Sequence, residues 1–208
     1  MLKELFVDMD GVLVDFIDGM VKRAHFGIDR HQLEPHYDPG RFGFGHALER
    51  LYDSRGWARH FGEGVMEKRF WADIRGDDGF WANLPKLPWA DDLMQTVMMS
   101  GLPYWYLTSP SDCGFCLVGK DTWLTKHYGK GQGLPGKLVP CRDKWLLAKP
   151  GRLLIDDHNE NVDAWIEHGG QAILFPAVHN RRHAEAGDDK VWATVELELN
   201  TLLHGSAT

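Results

Sequence analysis

Apolar residues gather along the chain in five short runs: Lys3–Asp8 (KELFVD), Tyr104–Thr108 (YWYLT), Lys137–Cys141 (KLVPC), Arg152–Asp156 (RLLID) and Gln171–Phe175 (QAILF). Runs this short and this continuous read as strands buried on both faces, as in a parallel sheet. Pro140 has no amide hydrogen for a ladder, which weakens the third run as a strand or puts it at an edge. Helical patterns fall between the runs, at Val12–His25, Asp91–Ser100, Lys120–Tyr128 (KDTWLTKHY) and Asn161–His168 (NVDAWIEH). Gly169 and Gly170 close the last of these.

Strands alternating with helices predict an α/β fold, a Rossmann-like parallel sheet core with helices on both faces. The rhythm lapses from about Ile28 to Leu84, a stretch rich in Gly, His, Arg and aromatic residues with helical signals at His46–Trp57 and Gly64–Trp71. That is far longer than a usual strand-to-helix connection. It reads as a small, mainly helical cap, residues 28–82, inserted after the first strand-helix unit of a core made of residues 1–27 and 83–208. The tail after Asn200 (TLLHGSAT) reads as frayed.

A chain of 208 residues with 43% hydrophobic and 25% charged residues suits one sizeable domain, or one carrying a smaller insertion. No apolar stretch approaches the roughly 18 to 20 residues that span a bilayer, and no secretory signal is visible, so the protein is expected off the membrane and in the cytoplasm. A formal net charge of −7 opposes a nucleic-acid polymer as partner. Cys113, Cys116 and Cys141 are too few for a disulfide scaffold; the Cys113-x-x-Cys116 pair lacks the second pair of a structural zinc site and reads as reduced thiols near a loop.

In an open parallel sheet ligands collect at the carboxyl ends of the strands, and Asp8, Thr108, Arg142 and Asp156 all stand at such ends. Asp8 and Asp10 follow the first strand, and Gly11 lets the backbone turn sharply so that Asp10 bends back toward Asp8. Two carboxylates held close repel unless a cation lies between them or one is protonated. Oxygen-only ligands point to a hard ion, Mg²⁺ first. Taken alone, the motif also fits a solvated acidic turn. Thr108-Ser109-Pro110 can bind phosphate oxygens or form an ordinary turn. Lys144, in Cys141-Arg142-Asp143-Lys144, can neutralise a transferred group or lie on the surface. Asp156-Asp157 repeats the opening logic, and four acids at one edge are costly without a metal.

In order and spacing, DMDGV, LTSP, RDK and LLIDD resemble the four motifs of the haloacid dehalogenase superfamily of phosphotransferases. Within it the chain is most similar to the 5'(3')-deoxyribonucleotidase family. The family's DMDGVLADF-like opening is matched by Asp8–Phe16, with Val14 for alanine; its T-R-D-K loop by Cys141–Lys144, with cysteine for threonine; its F-x-A-x-H-N stretch by Phe175–Asn180. The similarity covers residues 1–16 and 83–183 and is weak in the cap, where Phe80-Trp81 and Leu87-Pro88 are the best anchors and a Phe-Trp pair is replaced by Phe42-Gly43-Phe44.

The resemblance implies an enzyme that hydrolyses deoxyribonucleoside monophosphates through an aspartyl-phosphate on Asp8, with Asp10 as acid and base. It implies Mg²⁺ on Asp8, the backbone carbonyl of Asp10, and Asp157, with Asp156 as an alternative ligand. Thr108, Ser109 and Lys144 would hold the phosphate, with Arg142 assisting. Phe16 matches a base-stacking residue, though it equally suits a core position; Phe42, Phe44, Phe70 and Trp71 are candidates for the rest of the nucleoside pocket. Related enzymes are often homodimers. His158, His179 and His183 read as solvated or capping residues rather than ligands. Two other readings remain open: a phosphatase on another phosphomonoester, such as a nucleic-acid 3'-end or a sugar phosphate, and a non-catalytic nucleotide-binding module.

Overall fold

The five apolar runs pair as one parallel sheet of β1 (Glu4–Val7), β2 (Tyr104–Thr108), β3 (Leu138–Pro140), β4 (Arg152–Asp156) and β5 (Gln171–Leu174), in the order β3-β2-β1-β4-β5. These come from a computed structural model that describes residues 1–23, 27–56, 64–77, 79–129, 137–186 and 190–205. β3 lies at an edge, which accounts for Pro140: only β2 pairs with it, at Thr108. The chain fills one side of β1 with β2 and β3, then crosses back to lay β4 on the other side. β1 and β4 therefore flank the topological switch point, where their carboxyl ends leave a crevice.

Alternation along the strands builds the core. Phe6, Leu107 and Leu154 share one face with Trp165 of α7 (Asn159–Glu167), whose ring centre lies 5.3 Å from that of Phe6. Leu5 and Val7 point to the opposite face and are equally sealed from solvent, so both faces are covered.

The helices expected after β1, before β2, after β2 and after β4 form as α1 (Phe16–Arg23), α5 (Ala90–Met99), α6 (Cys116–Tyr128) and α7. Between α1 and α5 lie α2 (Arg30–Leu33), α3 (Gly45–Ser54) and α4 (Val65–Ile74). Residues 24–25 and 57, at the ends of two expected helices, lie outside the described residues. α1 starts four residues later than its apolar pattern suggests. The amides of Val12, Leu13 and Val14 all donate to the Met9 carbonyl, so the chain turns before it coils. Asp15 then accepts from the Asp18 amide at 3.0 Å and opens the helix.

α8 (Lys190–His204) is not among the expected helices, and its end is ordered helix where the sequence suggests a frayed tail. The signal was there: Val191, Val195 and Leu199 recur every fourth residue and are all buried. Among the described residues no helix is long and apolar enough to cross a membrane.

By internal packing the chain forms two compact units, Met1–Val14 with Lys86–Ser109 and Pro135–Thr208, and Asp15–Pro85 with Pro110–Leu134. The first holds the sheet. The second is helical, and there α6 lies against the 3₁₀ turn Trp81–Asn83. Gly119 allows that approach, since a Cβ on it would stand 2.5 Å from the Trp81 Cβ. Trp123, fully buried on the same helix, donates its indole N–H to the Leu84 carbonyl at 2.8 Å.

Candidate active site

Asp8 follows the last residue of β1, and its amide donates to the Ile155 carbonyl of β4 at 2.9 Å, which ties it to the strand that carries the second acidic pair. The loop beyond it turns at Gly11, whose φ of +81° is left-handed. The same glycine makes room: a Cβ there would stand 1.8 Å from Oδ2 of Asp157. Asp8, Asp156 and Asp157, all buried, each bring one carboxylate oxygen within 4.8 Å of the other two. Asp10, half-buried on the loop, adds its charge to this field.

One ammonium faces these acids. Lys144, at the head of the 3₁₀ turn Lys144–Leu147, is 2% exposed and reaches Asp8 Oδ1 at 2.7 Å and Asp156 Oδ2 at 2.6 Å. Burial works against its charge, but Asp156 and Asp8 more than offset that and hold it protonated. Burial pushes the Asp8 carboxyl up to about 8; Lys144 opposes this, while Asp156, Asp157 and Asp10 add to it. The set thus carries more negative charge than one lysine balances. An all-oxygen, net-anionic set of this spacing suits a hard divalent cation.

The two acids after β4 differ. Asp156 engages both oxygens: Oδ1 accepts from the His158 amide (2.8 Å) and Asn161 Nδ2 (3.2 Å), Oδ2 from Lys144 and from Asn161 Nδ2 at 3.1 Å. It works as an anchor for Lys144. Asp157 instead faces His179, whose Nε2 lies 3.2 Å from Oδ2. His179 is buried, not solvated as its position in the sequence suggested. Burial disfavours its proton, but the neighbouring Asp157 outweighs this and raises its pKa above the ordinary value. The clue that could have exposed it is topological: it follows β5, the strand beside the one that ends in Asp156.

Thr108 closes β2 fully buried, and its carbonyl accepts from the Cys141 amide at 2.9 Å. Ser109 and Arg142, on the loops after β2 and β3, are exposed. The three cysteines are free; Cys113 Sγ donates to the carbonyls of Ile74 and Arg75, both at 3.4 Å.

In the helical unit, four of the five pocket candidates form an aromatic cluster. The Phe16 ring lies 6.3 Å from Phe44, 5.9 Å from Phe70 and 5.9 Å from Trp71, and within 30° of parallel to both Trp71 and Trp81. Phe44 and Phe70 are core residues, 3% and 1% exposed, whereas Phe16 and Trp71 are half-buried. Phe42 is a surface residue, 62% exposed. Phe80 and Trp81, which the sequence marks only as points of family resemblance, belong to the cluster as well.

The fold matches solved haloacid dehalogenase-like structures. One is a haloacid dehalogenase-like protein from Agrobacterium tumefaciens (TM-score 0.55, 12% identity, 97% of this chain and 100% of that one). Another is a phosphonoacetaldehyde hydrolase-like protein from Oleispira antarctica (TM-score 0.51, 13% identity, 100% and 86%). No family model matches the sequence. Among curated proteins the human cytosolic-type 5'(3')-deoxyribonucleotidase is 30% identical over 186 residues, covering 85% of this chain and 81% of the relative. The mitochondrial 5'(3')-deoxyribonucleotidase of Mus musculus is 27% identical over 178 residues, covering 85% and 74%. The architecture is therefore that of the haloacid dehalogenase-like hydrolases. Within that class the chain belongs to the 5'(3')-deoxyribonucleotidase family, and so to the phosphoric monoester hydrolases.

Proposed function

We propose that the protein is a Mg²⁺-dependent nucleotidase that hydrolyses deoxyribonucleoside monophosphates through an aspartyl-phosphate intermediate. The observation that supports this most is the meeting of Asp8, Lys144 and the adjacent Asp156 and Asp157, from three separate segments, at the end of the sheet. In this reading residues 1–27 and 83–208 form the catalytic core and 28–82 the cap, and the enzyme works in the cytoplasm.

Asp8 attacks phosphorus, and the bond to the nucleoside oxygen breaks as Asp10 supplies that oxygen with a proton. In the second half Asp10 takes a proton from water, which attacks the aspartyl-phosphate, frees inorganic phosphate and restores Asp8. Lys144, held by Asp156, compensates charge on the transferred group and its acceptor. Thr108 and Ser109 hold phosphate oxygens, with Arg142 assisting from the rim. Asp8, the Asp10 carbonyl and Asp157 are the residues to hold Mg²⁺, which when bound screens the anionic nucleophile from the anionic phosphate. Phe16 and Trp71 are the half-buried rings suited to stacking on a base, with Phe44 and Phe70 backing them from the core and Phe42 contributing from the surface.

Asp8→Asn keeps the shape of the side chain and removes the nucleophile, so turnover of dUMP and dTMP should fall by at least about 10⁴-fold while the circular dichroism spectrum is unchanged. Undiminished turnover in that variant refutes the assignment of Asp8. Beryllium fluoride with Mg²⁺ should yield an acyl-phosphate mimic on Asp8. A 3'-phosphorylated oligonucleotide or a sugar phosphate hydrolysed faster than free nucleotides would move the substrate to another phosphomonoester.

A further inference from the structure

The two acids after β4 have separate sets of partners, and those of Asp157 come from the segment that follows β5. Asn180, fully buried, donates its Nδ2 to the Asp157 carbonyl at 2.7 Å and to the Phe175 carbonyl at 2.8 Å. Its Oδ1 accepts from the Arg182 amide at 2.9 Å and the Ala177 amide at 3.3 Å. An asparagine satisfied on every side is a rigid fastening, and it fastens this segment to the backbone of Asp157. The neighbouring residue, His179, then reaches the Asp157 side chain, with Nε2 3.2 Å from Oδ2. Oδ2 is walled on its other approach by Gly11, where even a methyl group would collide with it. Among the described residues the clustered ligand atoms are all carboxylate oxygens, so His179 stands behind the ligand set and not within it.

We infer that His179 is a positioning residue for Asp157. Its imidazole, seated against Oδ2 with Nε2 3.2 Å away, holds that side of the carboxylate and thereby directs the remaining oxygen, Oδ1, toward the divalent cation. The inference rests on the metal-dependent reading above and extends it to a residue that reading does not use. Partners of ligating carboxylates commonly contribute 10- to 100-fold in metal affinity.

The test is binding of Mn²⁺ alone to the full chain, followed by electron paramagnetic resonance. His179→Ala should weaken Mn²⁺ binding by about 10- to 100-fold relative to the unsubstituted chain. His179→Gln places an amide donor near the Nε2 position and should recover most of that loss. His179→Asn has a donor of shorter reach and should not. If the alanine variant does not fold, the contrast between Gln and Asn still decides. Equal affinities in all three variants and the unsubstituted chain would overturn the role of His179 while leaving the metal site intact. An unsubstituted chain that binds no Mn²⁺ would overturn the metal reading and this inference with it. A purely structural histidine predicts lowered melting temperatures in all three variants without the separation of Gln from Asn.

Discussion

At the carboxyl end of the sheet each buried charge has a named partner atom: Lys144 between Asp8 and Asp156, Asn161 and the His158 amide on Asp156, His179 on Asp157. In the helical unit Phe16 instead touches five other rings, at centre distances from 5.8 to 6.3 Å and at angles from 23° to 88°. The first arrangement is directional. A buried carboxylate without its donor bears the full cost of desolvation, so no member can change alone. The second is held by area and dispersion, which tolerate a range of angles.

Removing the shared cation breaks the directional arrangement most severely. Lys144→Met leaves Asp8 and Asp156 buried without an ammonium, and urea unfolding should show a loss of about 3–5 kcal/mol together with loss of turnover. A loss below about 1 kcal/mol would show that the acids do not depend on Lys144 and would erase the contrast between the two regions. The ring cluster should respond differently. Trp71→Leu removes one half-buried ring and should raise the KM for dUMP about tenfold with kcat nearly unchanged, in keeping with about 1–3 kcal/mol for stacking on a base. An equal fall in kcat would mean that the rings also align the reacting phosphate.

The smallest effect sharpens the comparison from within the helical unit, which has directional contacts of its own. His46 is buried and its Nε2 accepts from the Asp38 amide at 3.0 Å, so the ring must be neutral on that side. Burial lowers its pKa, Arg41 and Arg50 lower it further, and Asp38 and Glu49 oppose them. With the folded value below the ordinary 6.5, the unfolded chain takes up the proton first as pH falls. The contribution is complete above about 6.5 and is lost progressively below it. The melting temperature should therefore drop between pH 7.5 and 5.5, and His46→Gln, which accepts without titrating, should flatten that drop. A slope unaltered by the substitution would assign it to other groups.

Much of the sheet unit was legible because its signals are local. Each strand is a short apolar run, and the acids stand directly after two of them, so Asp8, Asp10, Asp156 and Asp157 could be singled out from neighbours alone. Pro140 marked its own strand as unsuited to the middle of a sheet. The helix from Lys190 to His204 does not stand out although Val191, Val195 and Leu199 repeat at helical spacing, because the apolar Trp192, Ala193 and Leu197 fall between them and blur the stripe. In the helical unit, aromatic residues could be counted but not sorted. Phe44 is buried and Phe42, two residues earlier, is exposed, and nothing local distinguishes them.

By itself, then, the sequence determined which residues could end a buried strand and that acidic side chains would stand at two of those ends, since strand formation and backbone turning depend on residues a few positions apart. Only the tertiary structure decided the partners: that Lys144 serves Asp8 and Asp156 together, that Asp156 is saturated while Asp157 turns to His179, and that Phe16 joins the rings of α4. The reason is physical. Burial and ion pairing are set by what stands within a few ångströms, and in a parallel sheet those neighbours come from strands far apart along the chain, here brought together by the crossover that lays β4 beside β1.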